Sequence, residues 1–107
     1  MSMTVPGVSP AFQSFLSQAP GHARAWMTMV GGLEEASRLD KKTDELAYLA
    51  VLAALGRESG IAFHVAAARE AGASREEVIS AVLLGLPAVG QLVIGALPIA
   101  IEAYDAG

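Results

Sequence analysis

The chain has 107 residues, a net charge of −4, an apolar fraction of 53% and no cysteine. Its length suits a single domain over residues 1–107. Without cysteine it forms no disulfide, thiolate metal site or thiol redox centre. Its few scattered basic residues exclude the clustered positive footprint of a nucleic-acid-binding protein.

The apolar fraction is high for a domain of this size, because a short chain has little interior in which to bury apolar side chains. We therefore expect a homo-oligomer in which apolar helices are buried between subunits. Residues 1–23 contain no Lys or Arg and are interrupted by Pro and Gly, unlike a signal peptide. The expected location is the cytoplasm.

Ala, Leu, Glu and Arg dominate the periodic segments, so the predicted fold class is all-α. The first helix is predicted over Pro10–Gln18, with its proline suited to the first turn. Pro20 and Gly21 end that helix. A second helix is predicted from about His22 to Leu39.

Two further helices are predicted in the middle of the chain. The third covers about residues 42–55, and either Asp40 or Thr43 can cap its start. The fourth covers about residues 58–71 and ends at Gly72, because a glycine suits the position after a helix.

The fifth helix begins at a capping box formed by Ser74 and Glu77. Beyond it, residues 78–101 carry no charge, and a hydropathy window would select them as a membrane span. Two prolines and three glycines interrupt the stretch. We therefore predict two helices hinged near Gly90, the last over about residues 91–104, buried in an oligomer rather than in a membrane.

His64 lies on the predicted fourth helix among small and apolar residues. One interpretation is a partly buried histidine that hydrogen-bonds a neighbour for packing. The other is a general acid or base, because histidine titrates near neutrality. Glu45, near the start of the preceding helix, is either a glutamate favoured by the helix dipole or a carboxylate that pairs with His64 across the hairpin. Such a pair would fix the imidazole tautomer and raise its basicity.

The positions four and seven residues before His64 are Gly60 and Arg57, which would share its face if the helix extends that far. This pattern predicts a small pocket with a cation beside the imidazole. Glu58 is a second candidate carboxylate, further round the helix. The other histidine, His22, is far from His64 in the sequence, so the two lack the spacing of a pair of metal ligands. The sequence also has no phosphate-binding loop. We therefore predict neither a metal site nor a cofactor.

Residues 39–104 are similar to the carboxymuconolactone decarboxylase and alkylhydroperoxidase D superfamily, and the resemblance is carried by residues 39–46, 56–58 with His64, 71–78 and 98–104. The resemblance implies a bundle of about six helices that forms a homo-oligomer, commonly a trimer or hexamer. It also implies proton-relay roles for Glu45 and His64. Hydroperoxidase members carry a Cys-x-x-Cys pair, and Arg57 and Gly60 stand at those positions here, so thiol peroxidase chemistry cannot run.

The resemblance leads to two hypotheses about function. In the first, the protein is a carboxy-lyase similar to carboxymuconolactone decarboxylase, which carries out decarboxylation or proton transfer on a small carboxylated lactone or keto acid. His64 would be its general acid and base, and Glu45 would orient the imidazole. Arg57 would hold the substrate carboxylate, with Glu58 and Gly60 beside it. In the second hypothesis, the protein is a non-catalytic oligomeric scaffold or binding protein.

Overall fold

The computed structural model describes residues 8–107, and these fold as helices joined by short turns, with no β-strand among them. The all-α prediction is confirmed. The α-helices are α1 (Pro10–Gln18), α2 (Pro20–Ala36), α3 (Lys41–Ala54), α4 (Ile61–Glu70), α5 (Arg75–Val82), α6 (Leu86–Val89) and α7 (Leu97–Ala106). Two 3₁₀ segments, Glu58–Gly60 and Gly90–Ala96, precede α4 and α7.

The core lies where α3, α4, α5 and α7 pack against one another. Burial of each large side chain there stabilises the fold by about 1.5–3 kcal/mol. Several alanines are almost inaccessible as well, which lets the helix backbones approach closely. This packing sets α3 beside α4. The largest fully buried side chains are Leu49, Ile61, Val65, Val78, Val82 and Val93.

Side-chain caps fix the starts of α3 and α5. Asp40 Oδ1 accepts a hydrogen bond from the N–H of Thr43 at 2.8 Å, so Asp40 is the cap of α3 and Thr43 lies inside the helix. The capping box predicted for α5 is confirmed, because the Ser74 and Glu77 side chains each accept from the backbone N–H of the other.

The fourth helix begins later than predicted. Residues 58–60 form a 3₁₀ turn, and Arg57 lies outside helical geometry at φ −89° and ψ 72°. The α-helix itself begins at Ile61 and ends one residue before the predicted end. Gly72 follows with φ +99°, a conformation that favours glycine.

The uncharged C-terminal stretch is bent rather than straight. Gly90 has φ +67°, and α7 begins only at Leu97, after the 3₁₀ segment. As a result α7 folds back to pack against α5. By length and composition, Arg75–Ala106 is the one stretch among residues 8–107 that could cross a membrane, which is weak evidence for a span. Its fold-back argues against one straight helix through a bilayer.

The N-terminal helices form a separate hairpin, in which α2 packs chiefly against α1. Trp26 of α2 lies edge-on to Phe12 of α1, with ring centroids 5.3 Å apart. Ala23 is the one buried residue on α2. Met29 and Leu33, one helical turn apart, are exposed, so an apolar side of α2 has no partner within the described chain.

Candidate active site

Glu45 is the one charged side chain that is buried among residues 8–107, with 6% of its surface exposed. It lies near the N-terminal end of α3, where the helix dipole favours a negative charge. Because α3 packs directly against α4, the carboxylate meets a side chain of that helix instead of solvent.

That side chain is His64, whose Nδ1 lies 2.7 Å from Glu45 Oε1. An ionised carboxylate only accepts hydrogen bonds, so Nδ1 donates the proton. In the neutral imidazole this assigns the proton to Nδ1 and leaves Nε2 as an acceptor. Within the described part of the chain Nε2 has no hydrogen-bond partner, and 27% of the side chain is exposed. The imidazole is therefore partly open to solvent, and Nε2 is its free ring nitrogen.

The second oxygen of the Glu45 carboxylate is also engaged. Lys41 Nζ lies 2.8 Å from Glu45 Oε2, and the Lys41 side chain is 58% exposed. The hydrogen bond to Glu45 raises the pKa of the Lys41 ammonium above its ordinary value. The site is thus a line of three groups: a solvated ammonium, a buried carboxylate and a partly exposed imidazole.

Two aromatic rings flank the imidazole. The Tyr48 ring lies 4.5 Å from the His64 ring at an angle of 58°, and Phe63 lies edge-on at 5.2 Å. Both rings are at least 40% exposed, so the imidazole sits in an open aromatic patch on the surface. Sequence reasoning missed Lys41 and Tyr48. Their spacing of four and three residues from Glu45 on one helix was the available signal.

The space over Gly60 is smaller than expected. A Cβ added at Gly60 would lie 3.3 Å from Leu52 Cδ1 and 4.0 Å from His64 Cδ2. Gly60 therefore adjoins the imidazole, and the Leu52 side chain borders the predicted opening. Arg57 lies before the start of α4, so the helical spacing that placed it on the same face does not apply. Its side chain is exposed and makes no ion pair within residues 8–107.

Glu58 is directed toward a different element. Its Oε2 lies 2.8 Å from the position that a Cβ on Gly95 would occupy, so the side chain extends over the 3₁₀ segment before α7. The structure brings Glu45, His64 and Gly60 together, and gives Glu58 a neighbour outside that group. Its role in binding a substrate stays a prediction.

Glu45 and His64 line neither of two open clefts on the described surface. One lies between α3 and α5 around Leu46 and Ser80. The other lies between α4 and α7 around Ala62 and Glu102. Among residues 8–107, no three His, Asp or Glu side chains are grouped closely enough to hold a metal ion.

The fold and the site define a class: an all-α, cysteine-free protein in which a buried glutamate orients a partly exposed histidine. The family model of the carboxymuconolactone decarboxylase family matches residues 20–102, and the chain belongs to this family. The match begins at the first residue of α2 and so extends further toward the N-terminus than the segments that carry the resemblance. Searches of curated proteins and of solved structures gave no match to the chain.

Proposed function

We propose that the protein is an acid–base catalyst that acts on a small carboxylated lactone or keto acid, with His64 as the general acid and base. The observation that carries the proposal is the 2.7 Å contact between His64 Nδ1 and Glu45 Oε1. This contact leaves Nε2 as the atom that exchanges a proton with a substrate. The chain offers no cysteine for the thiol chemistry of related hydroperoxidases.

The reaction class is decarboxylation or proton transfer at carbon. In decarboxylation the bond from carbon to the carboxylate breaks, carbon dioxide leaves, and the electron pair stays on the substrate. Protonated Nε2 then donates its proton to that carbon, and the buried Glu45 carboxylate stabilises the imidazolium before the transfer. In proton transfer alone, neutral Nε2 takes a proton from carbon and returns it.

The substrate carboxylate needs a cation. Arg57 is exposed and unpaired within the described chain, and a guanidinium binds a carboxylate through two parallel hydrogen bonds. Arg57 lies on the connection between α3 and α4, the two helices that carry the Glu45–His64 pair. We therefore assign it the role of substrate anchor, beside Gly60 and Glu58.

A panel of carboxylated lactones and β-keto acids tests the proposal. Carbon dioxide release is followed together with deuterium uptake at carbon in heavy water, which reports proton transfer even without decarboxylation. For a responsive substrate, His64→Gln lowers kcat/KM by about 10²–10⁴-fold, because a positioned general acid or base contributes that much. His22→Gln, on exposed α2, is the matched control and leaves the rate unchanged. Equal rates for the two variants would refute the role of His64.

A second candidate is a non-catalytic oligomeric scaffold or binding protein. It is favoured by the position of His64 on an open surface, outside the α3–α5 and α4–α7 clefts. Under this function every compound in the panel gives neither carbon dioxide nor deuterium uptake, and His64→Gln changes nothing but the local contact with Glu45. Turnover of any panel compound that depends on His64 excludes it.

A further inference from the structure

We propose that Lys41 is a positioning residue that sets the acid–base balance of His64 through the Glu45 carboxylate. The inference rests on the proposed function for its catalytic meaning, but its physical content concerns the free protein. Lys41 makes no hydrogen bond to the imidazole itself; it hydrogen-bonds the opposite oxygen of the same carboxylate.

The buried position of Glu45 carries an energetic cost. A buried carboxylate is stable only when its oxygens have partners and its charge is compensated. His64 satisfies one oxygen but is uncharged in its neutral form. Lys41 hydrogen-bonds the other oxygen and supplies a compensating positive charge whichever form His64 takes.

Lys41 also changes the net charge of the group that it forms with Glu45 and His64. Lys41 and Glu45 together are neutral, so the neutral imidazole gives a net charge of zero and the imidazolium gives +1. Without Lys41 the corresponding values are −1 and zero, which favours the imidazolium. Lys41 therefore opposes the pull of the carboxylate on the His64 proton and weakens the preference of the site for the imidazolium, which bears on acid–base catalysis.

Other charged groups modulate this effect without replacing it. Glu34 of α2 and Asp44 of α3 both raise the pKa of the Lys41 ammonium by Coulomb attraction. Glu58 is turned toward Gly95, and Glu102 of α7 lines the cleft near Ala62. Tyr48 contributes the ring that packs on the imidazole. Lys41 is the one cation with a hydrogen bond to Glu45 among the described residues.

The test is a ¹⁵N–¹H NMR titration of the imidazoles in the substrate-free protein. The chain has two histidines, so His22 serves as an internal reference. Lys41→Met moves the titration of His64 to higher pH by about 0.5–1 unit, a modest shift because the ammonium is largely solvated. Lys41→Arg restores the original position, and Glu45→Gln moves it in the opposite direction.

Lys42→Met is the matched control. It removes the same charge one residue away, but Lys42 pairs with Glu77, at 3.0 Å, and not with Glu45. A titration of His64 that stays in place in Lys41→Met, or that moves equally in Lys42→Met, overturns the inference. Lys41→Gln repeats the measurement should the methionine variant misfold.

This experiment separates the inference from the proposed function. With a responsive substrate, the pH–rate profile of Lys41→Met shifts in the same direction as its NMR titration. If the NMR shift occurs and no substrate responds, the role of Lys41 toward His64 stands and the proposed function falls. If turnover depends on His64 while the titration is unmoved by Lys41→Met, the proposed function stands and the inference falls.

Discussion

At the scale of single residues, the placement of Glu45 determines what the site can do. Removing a carboxylate from water is costly, and both of its oxygens here are compensated by nitrogen donors at 2.7 and 2.8 Å. The donors come from the same helix and from the next one. The buried glutamate thus ties the start of α3 to the side of α4 and fixes which nitrogen of His64 faces outward.

Two glycines on the connection between α3 and α4 differ in how well they tolerate replacement by alanine. Gly60 has ordinary backbone angles, and its added methyl group would press on the end of the Leu52 side chain at 3.3 Å, so a small shift of Leu52 keeps the change in the free energy of unfolding for Gly60→Ala at about 0.5 kcal/mol or less. Gly56 has φ +69°, so Gly56→Ala destabilises by about 1–2 kcal/mol. Denaturant unfolding of the two variants measures the difference.

Gly60→Ala also tests the substrate-binding role of this position. The added methyl group would stand 4.0 Å from His64 Cδ2, so under the proposed function KM rises while stability is retained. A loss of stability equal to that of Gly56→Ala would contradict the structure at this turn. An unchanged KM would remove Gly60 from the binding site.

The sequence pointed to Glu45 and His64 because few other side chains in an apolar chain can move protons. The distance between these two side chains could not be predicted from the sequence, because it depends on how closely α3 and α4 pack. Lys41 was not predicted to belong to the site, because a lysine in the first turn of a helix is usually solvated and its charge is unfavourable beside the positive end of the helix dipole. Its role emerges only once Glu45 is known to be buried.

At the scale of helices, the start of α5 is held by a polar cluster that depends on pH. The Ser74 N–H donates to Glu77 Oε1 at 2.8 Å, and Lys42 Nζ reaches Glu77 Oε2 at 3.0 Å. The Ser74 backbone hydrogen bond and then the Lys42 contact lower the pKa of Glu77 below its ordinary 4.5. The cluster also ties α5 to α3 near the candidate site.

Glu77→Gln tests this cluster. A lowered folded-state pKa contributes stability that is present above pH 4.5 and is lost as pH falls through the lower folded value. The Tm of Glu77→Gln is therefore below that of the parent at pH 7, and the gap closes as pH falls below 4.5. Thermal unfolding between pH 7 and pH 3 measures it. Glu76→Gln, in the same turn without those contacts, gives a smaller gap; equal gaps would contradict the assignment.

The predicted starts of helices were correct where a capping side chain marks them. They were wrong where only the backbone geometry separates a 3₁₀ turn from an α-helix. Proline and serine or aspartate caps marked α1, α3 and α5. The 3₁₀ turns at 58–60 and 90–96 carry residues that also suit an α-helix, so both following helices were predicted to begin too early. This shift matters for function, because it removes the helical spacing argument that had placed Arg57 beside His64.

At the scale of the whole molecule, the described chain leaves many large apolar side chains on its surface. They include Met29 and Leu33 on α2, Val51 on α3 and Leu55 just after α3, each more than half exposed. Exposed apolar residues mark interaction sites in soluble proteins where they form a continuous patch. The composition led to the same expectation, since 53% apolar residues exceed what so small a domain can bury alone.

We expect α2 to pack against a second copy of the chain, since no element beyond α1 covers it extensively. Leu33→Glu places a charge on its most exposed large apolar position, 63% accessible, and so lowers the mass measured by sedimentation equilibrium at micromolar concentration. The helical circular dichroism stays constant, because Leu33 contributes little to the folding of the single chain. Thr28→Glu adds the same charge at a polar, exposed position of α2 and keeps the mass of the parent. A parent protein that sediments as a monomer, or equal masses for the two variants, would exclude α2 as the contact between copies.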